Sequence, residues 1–248
     1  MILVLETPGS HIKSDVDGIT HAESLIHFMI STFYEANLLM CKFIKFPRIR
    51  MEPPTDAERE ARSKLRRSIE VEVENEVGKH FDIGIMQYMR HVDRRMRLME
   101  LRDGTVPPTL ASREIFIIAR QFICNISSIR LCISGLEEYG VAIDNLQQIG
   151  REMDEAYPDL KEVRNSIQHM EDRMQFIGRG KYKKIQMADG AGGAMFDCLI
   201  GDVYHTVMVN GEIGKIPVRF DVLMHVCNCI QRVINSYEWE GWATIYPI

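Results

Sequence analysis

The chain has 248 residues, a length that suffices for one large domain or two small ones and for a sizeable buried core. Hydrophobic residues make up 46% and charged residues 26%, which excludes the composition of a disordered chain. The formal net charge of −5 argues against a protein that binds nucleic acid along its whole surface.

The first predicted helix covers about residues 19–43, where apolar side chains recur every three or four positions. Thr55 and Glu58 then form a capping-box pattern, which marks the beginning of a helix. The highly charged segment that follows reaches about residue 101. It predicts either two helices or one helix that is kinked near Gly78.

The strongest helical pattern comes next. Seven apolar residues recur at intervals of three or four positions: Ile115, Ile118, Phe122, Ile126, Ile129, Ile133 and Leu136. Such a stripe predicts a core-facing helix at the centre of a bundle. A short helix is predicted near residues 145–155. Asp159 and Glu162 then form a second capping-box pattern, which opens a helix that runs to about residue 176.

The sequence after residue 178 predicts β-structure. Strands are expected at residues 195–200, 204–209 and 213–218. Asn210–Gly211 is the dipeptide preferred in a two-residue type I′ turn, so the last two strands are expected to form a hairpin around it. A final helix is predicted at about residues 221–237, and the tail is expected to pack back on the helices.

Together these elements predict an all-α fold, an up-and-down helical bundle with a small β-hairpin inserted before the C-terminal helix. We expect residues 1–248 to form a single helical domain. The hairpin would occupy residues 194–218, and the C-terminal helix and tail residues 219–248.

The six cysteines are typical of a reduced, cytosolic protein, because none belongs to a CxxC pair. Cys227 and Cys229 lie two positions apart in a helical stretch and so point about 160° away from each other, which excludes a shared metal. Arg120 and Gln121 interrupt the most apolar stretch, and the N-terminus lacks the basic region of a signal peptide. We therefore expect a cytoplasmic protein with no membrane span.

One group of polar residues suggests chemistry. In the helix predicted after Asp159, the apolar residues share a stripe of about 80°. Arg164, Asn165 and His169 fall outside that stripe, and Asn165 and His169 are i,i+4 neighbours. The pattern predicts a guanidinium, an amide and an imidazole on one polar face.

This trio is suited to cleaving RNA by attack of its own 2′-hydroxyl. The reaction requires a base for the hydroxyl, an acid for the leaving 5′-oxygen and positive charge at the phosphorus. Histidine can be the acid or the base near neutral pH, and arginine stabilises phosphate charge. Asparagine can orient the phosphate or the imidazole. We expect neither a metal nor a cofactor to be needed.

The order Arg-Asn followed by His resembles the motif of HEPN-domain proteins, in which an Arg, usually a polar residue, and a His after four to six intervening residues occupy a late helix. Arg164, Asn165 and His169 match these positions one by one. The resemblance implies a HEPN-like helical bundle and metal-independent RNase activity of the toxin–antitoxin, anti-phage or CRISPR-associated kind. It also implies a composite site at a homodimer interface.

We therefore expect an endoribonuclease that acts on RNA as a homodimer, as a toxin or anti-phage effector with an antitoxin or defence-system partner. The alternative is a non-catalytic helical module that binds a nucleotide or a protein, where Arg164 and His169 hold a ligand phosphate or a dimer contact.

Clusters of basic residues are the expected contacts to RNA or other phosphates. The RNA-binding residues that we predict are Arg179, Lys181, Lys183 and Lys184. The cluster at residues 94–97, with three arginines, and the one at residues 42–50 are further candidates for phosphate binding.

Overall fold

The structure, a computed structural model, describes residues 2–13, 19–46, 55–79, 84–102, 108–139, 143–175, 177 and 197–246. The chain separates into two compact units, a larger one of Met1–Phe46 with Ile115–Ile248 and a smaller one of Pro47–Glu114. The expectation of a mostly helical chain is confirmed. The up-and-down bundle with an inserted hairpin, and the single domain, stay predictions.

The described residues contain eight α-helices and seven short β-strands. The helices are α1 (Ile19–Lys45), α2 (Asp56–Val77), α3 (Ile85–Arg102), α4 (Pro108–Glu137), α5 (Ile143–Ala156), α6 (Leu160–Gln168), α7 (Met170–Met174) and α8 (Phe220–Ile234). The strands are β1 (Leu5–Thr7), β2 (His11–Ile12), β3 (Cys198–Ile200), β4 (Val203–Val207), β5 (Ile213–Pro217), β6 (Trp239–Glu240) and β7 (Thr244–Tyr246).

The core of the larger unit is built around α4. Six of the seven positions in its predicted stripe are buried: Ile118, Phe122, Ile126, Ile129, Ile133 and Leu136. All of them except Ile118 belong to one apolar cluster with residues of α1, α5, α6, β4 and α8. The helix begins seven residues earlier than its periodic pattern because Pro108 can occupy a first helical position, where no N–H is required.

One helix in the described part of the chain, Arg113–Glu137, is long and apolar enough to cross a membrane by length and composition. Half of its most apolar window is buried inside the larger unit, and core helices of soluble proteins pass the same test. The predictions of no membrane span and of a cytoplasmic location stay predictions.

The two ends of the chain pair with each other. Strand β1 is antiparallel to β7, and β2 is antiparallel to β6. At Gly9 there is no room for a side chain, because an added Cβ would collide with the backbone of Glu240. The tail thus packs through strands that local sequence patterns do not predict. Trp239 packs against the core, whereas Trp242 is 89% exposed.

Strands β3, β4 and β5 form one antiparallel sheet. The predicted type I′ turn around Asn210–Gly211 is wrong. The Gly211 N–H donates to the Met208 carbonyl at 3.0 Å, so Val209 and Asn210 are the central residues of the turn. Gly211 follows with φ of 86°, as in a three-residue hairpin loop that ends in a left-handed glycine.

The smaller unit contains an antiparallel pair of helices. Helix α2 begins directly after Thr55, and the chain leaves it at Gly78, whose φ of 96° favours glycine. Helix α3 then packs against α2. Their shared core consists of Ile69, Val73, Tyr88, Val92 and Met96. Of the two alternatives for this segment, two separate helices are confirmed.

Candidate functional site

Helix α6 is held against the sheet by close packing. It contacts β4 and β5, and its residues Leu160 and Val163 are buried. On the strand side, a Cβ added to Gly214 would lie only 2.5 Å from Val163 Cγ2 and 2.8 Å from Met208 Sδ. Glycine therefore allows β5 to approach the helix more closely than any other residue would.

Asp159, the residue directly before α6, also fixes this helix to the sheet. The Lys215 N–H donates a hydrogen bond of 2.9 Å to Asp159 Oδ2. The Asp159 side chain makes no hydrogen bond to the helix N-terminus, so the predicted capping box at this position is wrong. The carboxylate satisfies a strand N–H instead of a helical one, which ties the start of α6 to β5.

Arg164 and Asn165 lie one turn into α6, and both are half-buried. The Arg164 Nη1 donates to the Asn165 Oδ1 at 3.3 Å. Burial raises the pKa of the Cys124 thiol on α4, and the positive charges of Arg164 and Arg120 act against that rise. The Asn165 amide thus orients the guanidinium, whose charge acts on the Cys124 thiol as that of Arg120 does.

Asp197 is a charged residue close to Arg120 that was not predicted from the sequence. The Arg120 Nη1 lies 4.0 Å from Asp197 Oδ2. The Tyr204 side chain is fully buried, and burial raises the pKa of its hydroxyl, with a further rise from the negative charge of Asp197. The available signal was Arg120 itself, because a cation in the middle of an apolar helix requires a polar partner in the fold.

His169 does not lie within the helix of Arg164. Helix α6 ends at Gln168, and His169 has φ of −122° and ψ of 40° before α7 begins. The prediction of one helix to about residue 176, with His169 on its polar face, is therefore wrong. The last helical hydrogen bond is still made, from the His169 N–H to the Asn165 carbonyl at 3.1 Å. Because the helix is broken at His169, the imidazole does not occupy the position that a continuous helix would give it.

The structure brings Arg164 and Asn165 together but gives His169 another side-chain neighbour. The imidazole is 58% exposed, and its Nδ1 lies 3.9 Å from Asp172 Oδ2. Among the described contacts, none joins the His169 imidazole directly to the Arg164 guanidinium. Arg164 and His169 are five positions apart in the chain, and Arg164 is half-buried whereas His169 is exposed.

His169, Glu171 and Asp172 can also be considered as metal ligands. One ligand atom from each lies within 4.8 Å of the others. An imidazole with two carboxylates is a set that Zn²⁺ accepts. The three residues lie on a short stretch at the surface of the larger unit, however, and their proximity alone does not identify a metal site. The predicted RNA-binding residues Arg179, Lys181, Lys183 and Lys184 lie outside the described residues.

A second group with a thiol and an imidazole lies on α8. The Tyr157 hydroxyl is 2.9 Å from His225 Nδ1, and the Cys229 Sγ is 3.7 Å from His225 Nε2. Burial raises the pKa of Cys229 to about 11. Because nucleophilic catalysis by cysteine requires the thiolate, this group is a packed polar cluster rather than a nucleophile with its base.

Comparison of the chain with family models, with curated proteins and with solved structures finds no match. The resemblance to HEPN-domain proteins stays a prediction, and it rests on Arg164, Asn165 and His169.

The fit between α6 and β5 can be tested with a double-mutant cycle. Gly214→Ala should destabilise the protein by about 1–3 kcal/mol, because the new methyl group overpacks the contact with Val163. In a Val163→Ala background the colliding Cγ2 is gone, so the same glycine substitution should cost less. Urea denaturation of the four proteins measures the difference. Equal costs in both backgrounds would contradict this account of the packing.

Proposed function

We propose that the protein is a metal-independent endoribonuclease of the HEPN type, in which Arg164, Asn165 and His169 act on the scissile phosphate. The observation that carries the proposal is that Asn165 orients the Arg164 guanidinium on α6, while the exposed His169 imidazole directly follows the last residue of that helix. The Arg164 Nη1 donates to Asn165 Oδ1 at 3.3 Å, and His169 closes the last helical turn through the Asn165 carbonyl.

Each group has a role in the proposed reaction. The 2′-hydroxyl oxygen attacks phosphorus and passes its proton to a base, while the 5′-oxygen leaves with a proton from an acid. This produces a 2′,3′-cyclic phosphate and a free 5′-hydroxyl. His169 exchanges these protons because its imidazole is exposed. Arg164 stabilises the charge that builds up on the phosphate, and its half-buried position strengthens that attraction.

The carboxylate of Asp172, at 3.9 Å from His169 Nδ1, has a supporting role. It can stabilise the imidazolium that forms when the histidine takes a proton, as the carboxylate of a hydrolytic triad does.

A single chain supplies one imidazole, whereas the reaction requires both an acid and a base. We therefore propose that the enzyme is a homodimer whose two-fold axis passes close to α6, since a two-fold interface brings the same patch of both subunits together. Glu171 and Asp172 then offset the repulsion between the paired cationic groups. RNA is the substrate, and a toxin or anti-phage role would add an antitoxin or a defence-system protein as partner.

One observation favours a second candidate, a non-catalytic module that binds a nucleotide or another phosphate-bearing ligand. Arg164 and Arg120 both lie near Cys124, whereas the recorded side-chain contact of His169 is with Asp172. Two guanidiniums on neighbouring helices can hold a phosphate without any imidazole. In that case the chain binds nucleotides and cleaves nothing.

A degradation assay on mixed RNA with EDTA present tests the nuclease proposal. The wild-type chain should produce fragments that end in cyclic phosphate, and His169→Ala should abolish them because the proton-transfer group is lost. The matched control is Gln168→Ala, a change at the adjacent exposed position, which should retain full activity. Both substitutions should change the free energy of unfolding by no more than about 0.5 kcal/mol.

The other outcomes of this assay separate the alternatives. Cleavage that requires a divalent ion and is lost in EDTA would replace the metal-independent mechanism with one that uses the ligand set of His169, Glu171 and Asp172. Undiminished activity in His169→Ala would remove the chemistry from this part of the chain. The absence of cleavage, together with nucleotide binding that Arg164→Ala weakens, would establish the non-catalytic module.

The composite site predicts a dominant-negative effect in mixtures. Excess His169→Ala protein, mixed with wild type and allowed to exchange subunits, should lower cleavage below the value expected from dilution, because heterodimers contain only one imidazole. Light scattering at the assay concentration should give the mass of two chains. A monomer that cleaves RNA at the undiminished rate would contradict the shared site.

A further inference from the structure

The smaller unit contains a groove of about 440 Å³ that has no part in the site described above. It lies between α2 and α3. Guanidinium groups dominate its lining, with one hydroxyl and one carboxylate: Arg59, Arg62, Arg66, Arg97, Ser63 and Asp93. Four permanent positive charges thus face the groove against a single lining carboxylate.

The arginines of α2 form a row. Arg59, Arg62 and Arg66 are spaced by three and four residues, so at about 100° per residue they lie within roughly 60° of one another around the helix. At about 1.5 Å of rise per residue, the row extends for about 10 Å along the helix. Arg97 faces it from α3. A ligand that matches this row carries negative charges at regular intervals along a line.

The carboxylates that contact these arginines compete only weakly with such a ligand. Arg66 Nε is 3.1 Å from Glu70 Oε1, Arg66 Nη1 is 3.6 Å from Asp93 Oδ1, and Arg59 Nη1 is 3.7 Å from Asp56 Oδ1. The Asp56 side chain is fully exposed. Solvent-exposed ion pairs of this kind are weak and screened by salt, so a bound phosphate can replace them.

In another part of the same helix pair, an arginine is paired with carboxylates. Arg95 is bonded to Glu76, and its Nη1 lies 3.3 Å from Glu72 Oε2. The hydrogen bond from Arg95 lowers the pKa of Glu76. The charge of Arg95 is therefore balanced by carboxylates of α2. Residues 47–114 as a whole hold 14 basic and 13 acidic residues, whereas the rest of the chain holds 16 and 22, so this unit is also the less acidic one.

We propose that this groove binds the phosphodiester backbone of a nucleic-acid strand. The planar guanidinium donates two parallel hydrogen bonds to a phosphate, and serine hydroxyls are common phosphate contacts. None of the described residues that line the groove is aromatic, so they offer no ring for a base to stack on, and their contacts are to the backbone and independent of sequence. The assignment does not depend on cleavage and holds whether or not the chain is a nuclease.

Fluorescence anisotropy of the full chain with a labelled 12-nucleotide 2′-O-methyl oligouridylate tests the groove. This probe has no 2′-hydroxyl, so the proposed nuclease activity cannot degrade it. The double variant Arg62→Gln/Arg97→Gln should bind at least tenfold more weakly. It should also reduce the slope of log K against log salt by about 1.4, since each lost phosphate contact on a single strand contributes about 0.7.

The matched control is Arg67→Gln/Arg94→Gln, which removes two exposed charges from the same helices outside the lining of the groove. It should retain the wild-type slope and lose less than threefold in affinity. Equal losses in the two double variants, or no loss in the first, would overturn the proposal. Circular dichroism checks that each variant is folded; if the first is not, the single change Arg97→Gln should still lower the slope by about 0.7.

Competition with a 12-residue polyglutamate separates the two classes of polyanion. The oligouridylate should stay bound when the peptide is added at a concentration equal to the dissociation constant of the oligouridylate. Displacement by the peptide as readily as by unlabelled oligonucleotide would mean that the groove recognises acidic polypeptides, and it would overturn the assignment to nucleic acid.

Discussion

The contact of Val163 with Gly214, reinforced by the hydrogen bond between Asp159 and the Lys215 N–H, determines what the candidate site can do. It fixes the N-terminal half of α6 on the sheet, and Arg164 is the residue directly after the buried Val163. The guanidinium is therefore placed by a rigid part of the fold, whereas His169 follows the end of the helix. A rigid phosphate contact combined with a more exposed proton-transfer group is a workable division of roles for RNA cleavage.

The same contact explains the electrostatics around Arg164. Because α6 lies on the sheet, the charge of its arginine acts on Cys124 of α4, as that of Arg120 does, and Arg120 Nη1 lies 4.0 Å from Asp197 Oδ2 before β3. Charges in such half-buried positions interact more strongly than those at the surface. The arginines of the groove between α2 and α3 are of the opposite kind, since three of the four are exposed and those of α2 are arranged along a line. The half-buried arginines near Cys124 suit a single phosphate, whereas the arginines of the groove suit a polymer of phosphates.

Periodic patterns allowed the long helices to be predicted, because burial of one face dictates the spacing of apolar residues. The stripe of α4 is the clearest case. The end of α6 at Gln168 could not be predicted, since Met170 and Met174 continue the helical spacing beyond it. Asp159 matched a helix cap but bonds to a strand that is 56 residues away. The pairing of β1 with β7 depends on residues from opposite ends of the chain, which local patterns do not detect.

If Arg164 and His169 act on one phosphate, they must respond to the same ligand molecule. An NMR titration of isotopically labelled protein with a deoxydinucleotide, which lacks the attacking 2′-hydroxyl, measures this directly. The signals of the Arg164 Nε–H and of the His169 ring protons should shift together and give a single dissociation constant. A shift of the arginine signal alone would contradict a shared catalytic phosphate and would favour the non-catalytic phosphate site formed with Arg120.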